Sequence, residues 1–311
     1  MLNPVHLRTL HTVLRTGSFA DAARELGYSG SAVSQQITAL ERQIHMRLFE
    51  RDGHGVRATP TAHFISERSL DALGRLQSLE DDITLLRQGS TGRLRLGSFP
   101  TASERILPMA LSRFRHEQPD IEVRLDEGEE PELTPMLVAR ELDVAIMYRY
   151  GLVPGRYPRG FRALKLLVED LLVLVPADHP LLGGSSGISI DQLESETWIA
   201  PRLGTPGAAM LRRLSANAGF SPEVAYRTNN YATTGGLVRA KMGIAVVPAL
   251  GFAPLDGVVP LRLSDHGAHR VVMAVRAPAT SEGSWRGLVD ALREASAAVT
   301  EEAIGVSLPE R

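Results

Sequence analysis

Residues 18 to 51, SFADAARELGYSGSAVSQQITALERQIHMRLFER, constrain the fold more than any other stretch, because they read as two short helices around a tight turn followed by a basic loop. Ser18 is a good N-cap, and Phe19, Ala22, Ala23 and Leu26 share one face at helical spacing until Gly27 ends the first helix. After the Gly27 to Gly30 turn, Ala32, Val33, Ile37, Leu40 and Ile44 repeat at intervals suited to a second helix. That leaves Ser31, Ser34, Gln35 and Thr38 on another face, polar and uncharged. Small hydroxyl and amide side chains near a helix N-terminus can approach base edges in the major groove and match their donor and acceptor patterns. An ordinary helical hairpin with a solvated polar face would carry the same pattern. The sequel separates the two: Leu48 and Phe49 can close a small core, and Arg51, His54 and Arg57 fall in or beside the Gly-containing segment from Asp52 to Thr59, before Pro60. A hairpin wing of this kind brings cations to phosphates, where affinity is electrostatic and falls with salt.

These residues resemble the winged helix-turn-helix of LysR-type transcriptional regulators. The family pattern of G-S-F, A-A-x-x-L, S-Q-P/S-A-V/L-S-x-x-I-x-x-L-E, L-F-x-R and T-P is met by Gly17-Ser18-Phe19, Ala22-Ala23 with Leu26, Ser29 to Glu41, Leu48 to Arg51 and Thr59-Pro60. Two departures fall where DNA is read: Gly30 stands where the family usually has Gln, and Gln35 where Arg is frequent. The resemblance implies base contacts from Ser31, Ser34 and Gln35, with Thr38 on the same face, and phosphate contacts from Arg51 and Arg57. At Gly30 only the backbone can make a contact.

At 311 residues the chain suits two or three domains. Its net charge is -2, so general basicity does not supply DNA affinity. Residues 1 to 60 hold seven Arg, no Lys and five Asp plus Glu, a local excess of +2. Affinity must then come from local placement and from several copies of the head. The absence of cysteine removes disulfides, thiolate zinc sites and thiol redox sensing. The opening MLNPVHLRTLHTVL lacks the pattern of a signal peptide, and Met242 to Leu255 is too short and too interrupted to span a bilayer, so a cytoplasmic protein without membrane contact is expected.

Beyond Pro60, Leu70, Leu73, Leu76, Leu79, Ile83 and Leu86 form a stripe through the charged run Glu67 to Arg87. It fits a dimerisation helix better than the alternative, a helix lying on its own domain's core. Gln88 to Gly92 then makes a linker. From Arg93 short apolar strands alternate with amphipathic helices: 94–98, helix 103–117, 121–126, helix 131–140 and 143–148, then 171–176, 197–200, helix 207–219, 224–228, helix 233–241, 244–247, a last strand 271–275 and helix 282–299. This grammar predicts parallel, doubly wound sheets in two lobes with a ligand crevice at the strands' carboxyl ends.

This region resembles the periplasmic-binding-protein-like effector domains of the same regulators. The expected fold is therefore α+β and multidomain: a winged helix-turn-helix at 1–60, a linker helix at 61–89 and a two-lobed α/β effector domain at 90–311. Lobe I covers about 90–162 with 266–311, and lobe II about 163–265.

Ser98, Thr101 and Glu129 of the first lobe and Thr205 and Asn230 of the second follow strands or precede helices, where they can line a cleft between lobes. Thr101 matches the place where the family often sets an effector-binding hydroxyl. Plain N-capping explains a Ser, Thr or Asn at such positions equally well. Glu127, Glu129 and Glu130 make the rim acidic, which would suit a cationic or amino-bearing effector, but a solvated charge run explains it better.

No G-x-S-x-G, Walker loop or G-x-G-x-x-G is present. Asp265 to His269 and Gly183 to Gly187 read as surface turns rather than a metal site or a phosphate cradle. The chain is thus expected to be a non-enzymatic regulator without cofactor or metal, binding double-stranded operator DNA and a small-molecule effector. The family resemblance implies a homodimer or homotetramer. An α/β metabolic enzyme or a solute-binding protein with a helical N-terminal module is the alternative.

Overall fold

The computed structural model describes residues 2–52, 55–88, 92–153, 155, 157, 160–183, 187–264, 267–278 and 280–309. They form two compact units, Met1–Thr91 with Pro135–Glu141, and Gly92–Thr134 with Leu142–Arg311.

The first unit opens with α1 (Pro4–Thr16), an element with no counterpart among the sequence expectations. It is followed by α2 (Phe19–Leu26), α3 (Gly30–Ile44), the strands β1 (Phe49–Asp52) and β2 (Gly55–Ala58), and α4 (Pro60–Gln88). Ser18 and Ser29 cap α2 and α3 by accepting the backbone N–H of Asp21 and Ala32, leaving each chain entry extended. Gly27 stops α2 at φ 69°, a left-handed conformation that costs glycine least. The apolar faces then meet: Val13, Ala22, Ala23 and Val33 form one buried cluster, and Leu7, Leu10, Ile37, Leu40, Leu48 and Ala62 another.

The leucine stripe of α4 divides along its length. Leu73 packs against the head's core, whereas Leu76, Leu79 and Ile83 are exposed. The side chain of Leu86 and residues 89–91 of the expected linker lie outside the described residues.

From Gly92 the chain runs β3 (Gly92–Ser98), α5 (Pro100–Arg105), α6 (Leu107–Glu117), β4 (Ile121–Glu127), α7 (Glu130–Val138), whose residues from Pro135 belong to the first unit, β5 (Val144–Tyr150), β6 (Arg162–Pro176), β7 (Thr197–Ala200), α8 (Pro206–Asn217), β8 (Glu223–Arg227), α9 (Tyr231–Arg239), β9 (Ala245–Pro248), β10 (Val258–Arg262), β11 (His269–Arg276), α10 (Glu282–Glu302) and β12 (Val306–Ser307). The main strand order is β10-β6-β11-β5-β3-β4. β3 is parallel to β4 and β5, while β11 is antiparallel to both β5 and β6. β6 belongs to both lobes: its first half pairs with β11 and β12, its second half with β9 and β10. In lobe II, β7 and β8 run parallel, and a bridge from Trp198 to Ile244 ties them to β9.

The expectation of parallel sheets holds for β3, β4 and β5 and for β7 with β8, but the long crossover strands are antiparallel. β6 also begins at Arg162, well before the expected start at Leu171. Lys165, Glu169 and Asp170 interrupt its apolar pattern; Glu169 and Asp170 are absorbed by partner-strand arginines, Arg270 and Arg262. The helix expected over 103–117 is broken into α5 and α6, because Pro108 can enter only the first turn of a new helix. β10 and β12 are further elements absent from the sequence expectations; Pro260 in β10 sits on a strand at the end of the main strand order.

Candidate DNA-reading face and effector cavity

In the head, Ser31, Ser34 and Gln35 are exposed on the first turns of α3, and Thr38 is half-buried with its hydroxyl donating to the Ser34 carbonyl. Ser31 shares a 2.9 Å hydrogen bond with the cap residue Ser29. The four residues therefore lie on one side of one helix, opposite the buried Val33, Ile37 and Leu40. Gly30 opens the helix with nothing within 4 Å of where a Cβ would stand, so the backbone there is bare.

β1 and β2 make an antiparallel ribbon, with Glu50 opposite Arg57 in register and an ion pair of 3.0 Å between them. Arg57 is exposed, and such a surface pair is weak enough for a phosphate to displace it. The Arg51 side chain and residues Gly53 and His54 lie outside the described residues. Glu41 fixes the ribbon to α3: its Oε1 accepts the N–H of Leu48 at 2.7 Å and of Phe49 at 3.2 Å. An edge-to-face contact of Phe19 with Phe49, at 5.1 Å, joins α2 to the same ribbon. Glu41, Phe19 and Phe49 all stand in the sequence motif, but their joining of helices and ribbon is visible only in three dimensions.

In the second unit a cavity of about 40 Å³ lies between the lobes, room for about three waters. Lobe I contributes Glu129, Tyr148 and Tyr150; lobe II contributes Ile199, Thr205, Gly207, Met210, Thr228, Asn229 and Tyr231. Tyr148 Oη donates to Glu129 Oε2 at 2.7 Å. Burial raises the pKa of Tyr148, Tyr150 and Tyr231, so their hydroxyls stay protonated donors at neutral pH.

Behind this wall sits a buried ion pair, Arg270 with Glu169, at 2.5 Å. Arg270 Nη2 also donates to Thr101 Oγ1 at 3.0 Å, and its guanidinium lies 4.9, 4.6 and 5.9 Å from the ring centroids of Phe99, Tyr148 and Tyr150. Glu169 Oε2 accepts the N–H of Leu250 at 2.9 Å. Burial opposes the Arg270 charge, yet Glu169, Tyr150 and Tyr231 outweigh it and leave the pKa above its ordinary value. Arg270 thus stays charged, and its guanidinium packs against the Tyr148 and Tyr150 rings of the cavity wall.

Of the five residues expected at the effector, Glu129 and Thr205 line this cavity. Asn230 lines an adjoining surface depression with Arg202, Leu203, Arg227, Thr228 and Asn229. Ser98 and Thr101 are buried away from the lining, Thr101 as a partner of Arg270. Capping occupies two of the five: Thr205 accepts from Ala208 N and donates to the Arg202 carbonyl, and Asn230 accepts from Thr233 N. The tyrosines and the Arg270–Glu169 pair are absent from the sequence expectations. The signal that could have found the pair is an acidic residue in one largely apolar strand and a basic residue in another, the two standing opposite in register.

A DNA-reading head followed by a two-lobed ligand-binding unit defines the class of bacterial ligand-controlled transcription regulators. Family comparison agrees with both halves. Residues 4–63 match the bacterial regulatory helix-turn-helix protein, lysR family, and residues 87–297 match the LysR substrate binding domain. The chain belongs to the LysR family of transcriptional regulators, and it is a DNA-binding regulator rather than an enzyme. It is 30% identical over 246 residues to the HTH-type transcriptional regulator CbbR of Xanthobacter flavus, covering 78% of this chain and 72% of that one. A full-length OxyR variant from Pseudomonas aeruginosa superposes with a TM-score of 0.62 at 18% identity, covering 100% of this chain and 99% of the other. Full-length CbnR in complex with its target DNA does so at 0.59 and 22%, covering 94% and 100%. These two likenesses carry the fold.

Proposed function

We propose that the chain is a cytoplasmic regulator whose operator affinity is set by a small molecule bound in the cavity between its lobes. The observation that carries this reading is the cavity itself, with Glu129, Tyr148 and Tyr150 on one lobe facing Thr205 and Tyr231 on the other. A ligand that touches both lobes prefers one lobe arrangement, and it shifts the population only by its differential affinity for the two. In this reading residues 1–60 are the DNA-binding domain, 61–89 the linker helix and 90–311 the effector domain. The exposed Leu76, Leu79 and Ile83 of α4 pair two copies as a homodimer, which can assemble further into a homotetramer.

Ser31, Ser34, Gln35 and Thr38 read bases, while Arg51 and Arg57 meet phosphates. In support, a fold neighbour, CbnR, has been solved with its target DNA. At the effector site Glu129 and Thr205 touch ligand, Asn230 stands at the mouth, and Ser98 and Thr101 act from behind through the Arg270 wall.

Binding to operator and random DNA tests the head. Ser34→Ala with Gln35→Ala is expected to weaken operator binding by roughly 10- to 100-fold more than random binding, since a good base contact discriminates by about 1–3 kcal/mol. Arg57→Ala is expected to weaken both and to lower the salt slope by about 1. Equal losses on all DNA for the double variant would overturn the assigned reading face. For the effector, a small-molecule extract of the host's cells is expected to shift operator affinity, and to lose that effect with Tyr231→Phe or Thr205→Val. An extract without effect on any DNA-binding parameter would overturn the ligand-control reading.

A further inference from the structure

Among the described residues lining the cavity, Glu129 is the one charged side chain. Its hydrogen-bond partner on the cavity side is the Tyr148 hydroxyl, and no cation among the described residues is paired with it. Arg270, the nearest buried cation behind the wall, is already neutralised by Glu169. The space therefore carries a carboxylate without a cationic partner beside tyrosine rings, with Leu171, Ile199, Met210 and Val247 adding apolar wall and Thr205, Thr228, Asn229 and Thr234 adding polar wall. Such an environment favours an organic cation, held by a charge-assisted hydrogen bond and by the faces of aromatic rings.

At the mouth the sign reverses. Thr228 and Asn229 line both the cavity and the outer depression, which adds Arg202 and Arg227. Both arginines are exposed; Arg227 Nη1 donates to the Pro201 carbonyl, and neither has an acidic partner among the described residues. Thr228 and Asn229 thus face both spaces, with a carboxylate on the inner one and two arginines on the outer.

We propose that the effector is a small zwitterion whose ammonium is held by Glu129 inside the cavity and whose anionic group faces Arg202 and Arg227 at its mouth. This rests on the cavity being the effector site. A cavity of about 40 Å³ accepts the ammonium end and the carbon that bears it, while the remainder extends toward Asn229. α-Amino acids carry this charge pair, as do longer amino acids with the two groups further apart.

The test uses the full-length protein and three sets of probes: the common α-amino acids with several ω-amino acids, the corresponding carboxylic acids lacking the amine, and the corresponding amines lacking the carboxylate. Binding is read by calorimetry and by the shift in melting temperature. At least one amino acid is expected to bind, with its des-amino acid weaker by roughly 10- to 100-fold, the worth of one charge-assisted hydrogen bond.

Glu129→Gln should weaken the amino acid and its decarboxylated amine alike, by a similar factor. Arg202→Gln with Arg227→Gln should weaken the amino acid while sparing the amine. Binding of the des-amino acid as tight as that of the parent, or Glu129→Gln leaving the amino acid unaffected, would overturn the proposal. If no amine-bearing probe binds but the cell extract still shifts operator affinity, the zwitterion is wrong and the effector reading stands. If neither acts, both fall. Thermal melting of the unliganded variants confirms that they fold.

Discussion

Replacing Glu169 by Gln keeps the shape of the side chain and removes its charge, leaving the Arg270 guanidinium buried without a counter-ion. In the native protein both side chains are almost fully enclosed, at 0% and 2% exposure, with 2.5 Å between Oε1 and Nε. The second carboxylate oxygen accepts the Leu250 N–H, so a glutamine can serve one of its two donors and must turn an NH₂ toward the other. An interior Coulomb energy overstates what is lost, because charging the site also costs desolvation; breaking a buried pair by removing one partner costs about 3–5 kcal/mol. In a unit the size of Gly92–Arg311, where 1 kcal/mol moves Tm by roughly 2–4 °C, this corresponds to a fall of about 6–20 °C.

Tryptophan fluorescence in urea is the suitable assay. The chain has two tryptophans, Trp198 and Trp285, both in this unit and neither in the head, so the signal reports one transition. A second step removes both charges with Glu169→Gln and Arg270→Met. Its loss should be smaller than the sum of the single losses by at least about 1.5 kcal/mol, because the stranded charge is gone and the glutamine oxygen can accept the Leu250 N–H, while Thr101 still loses its partner. A single-variant loss below about 1 kcal/mol, or additive losses in the double variant, would refute the reasoning that this pair holds the cavity wall.

Gly243→Ala is expected to destabilise lobe II by about 3 kcal/mol or more in the same urea assay, since φ is 148° and an added Cβ would stand 2.4 Å from the Thr197 carbonyl oxygen. Leu79→Glu, on the exposed stretch of α4, should shift the protein toward monomer in light scattering with little change in its melting temperature. Gly30→Gln should leave stability unchanged, because nothing lies within 4 Å of the new Cβ, and should alter the sequences recovered in a selection of bound DNA. Burial chiefly, with help from Arg15, lowers the His11 pKa from 6.5. The unfolded chain then takes up this proton first, so stability held above pH 6.5 declines as pH falls toward the folded value. Hydrogen exchange in α1 should accelerate between about pH 7 and pH 5.5 after correction for intrinsic rates, and His11→Gln should flatten that dependence.

Where local chemistry decides an outcome, the sequence is informative. Ser18, Gly27 and Ser29 announce the turn between α2 and α3 because capping and left-handed φ depend on the residues themselves. Most strands and helices of the second unit fall close to their expected places for the same reason. Long-range pairing is what sequence periodicity does not carry. β6 looks like a strand only from Leu171 onward until Arg270 is placed opposite Glu169. Tyr148 and Tyr150 read as ordinary alternating residues of β5, and nothing local marks them as a cavity wall. Thr101 is a polar residue between strand and helix in the right region, but its hydroxyl is turned to Arg270, a residue 169 positions later in the chain. Glu129 and Thr205 were legible because strand ends and helix starts gather at a cleft in folds of this kind.

The place of β11 bears on how the protein is made. β11 lies between β5 and β6, so their facing edges stay open until His269–Arg276 leaves the ribosome. Roughly a hundred residues separate the end of β6 from β11, a delay of about 5–20 s at ordinary bacterial synthesis rates. During that interval lobe II can assemble from β7, β8 and β9, while lobe I waits with two apolar strands unjoined. The nascent chain is then most exposed to strand-edge aggregation and to chaperone capture, and ribosome pausing before His269 should lower soluble yield more than pausing after Arg276.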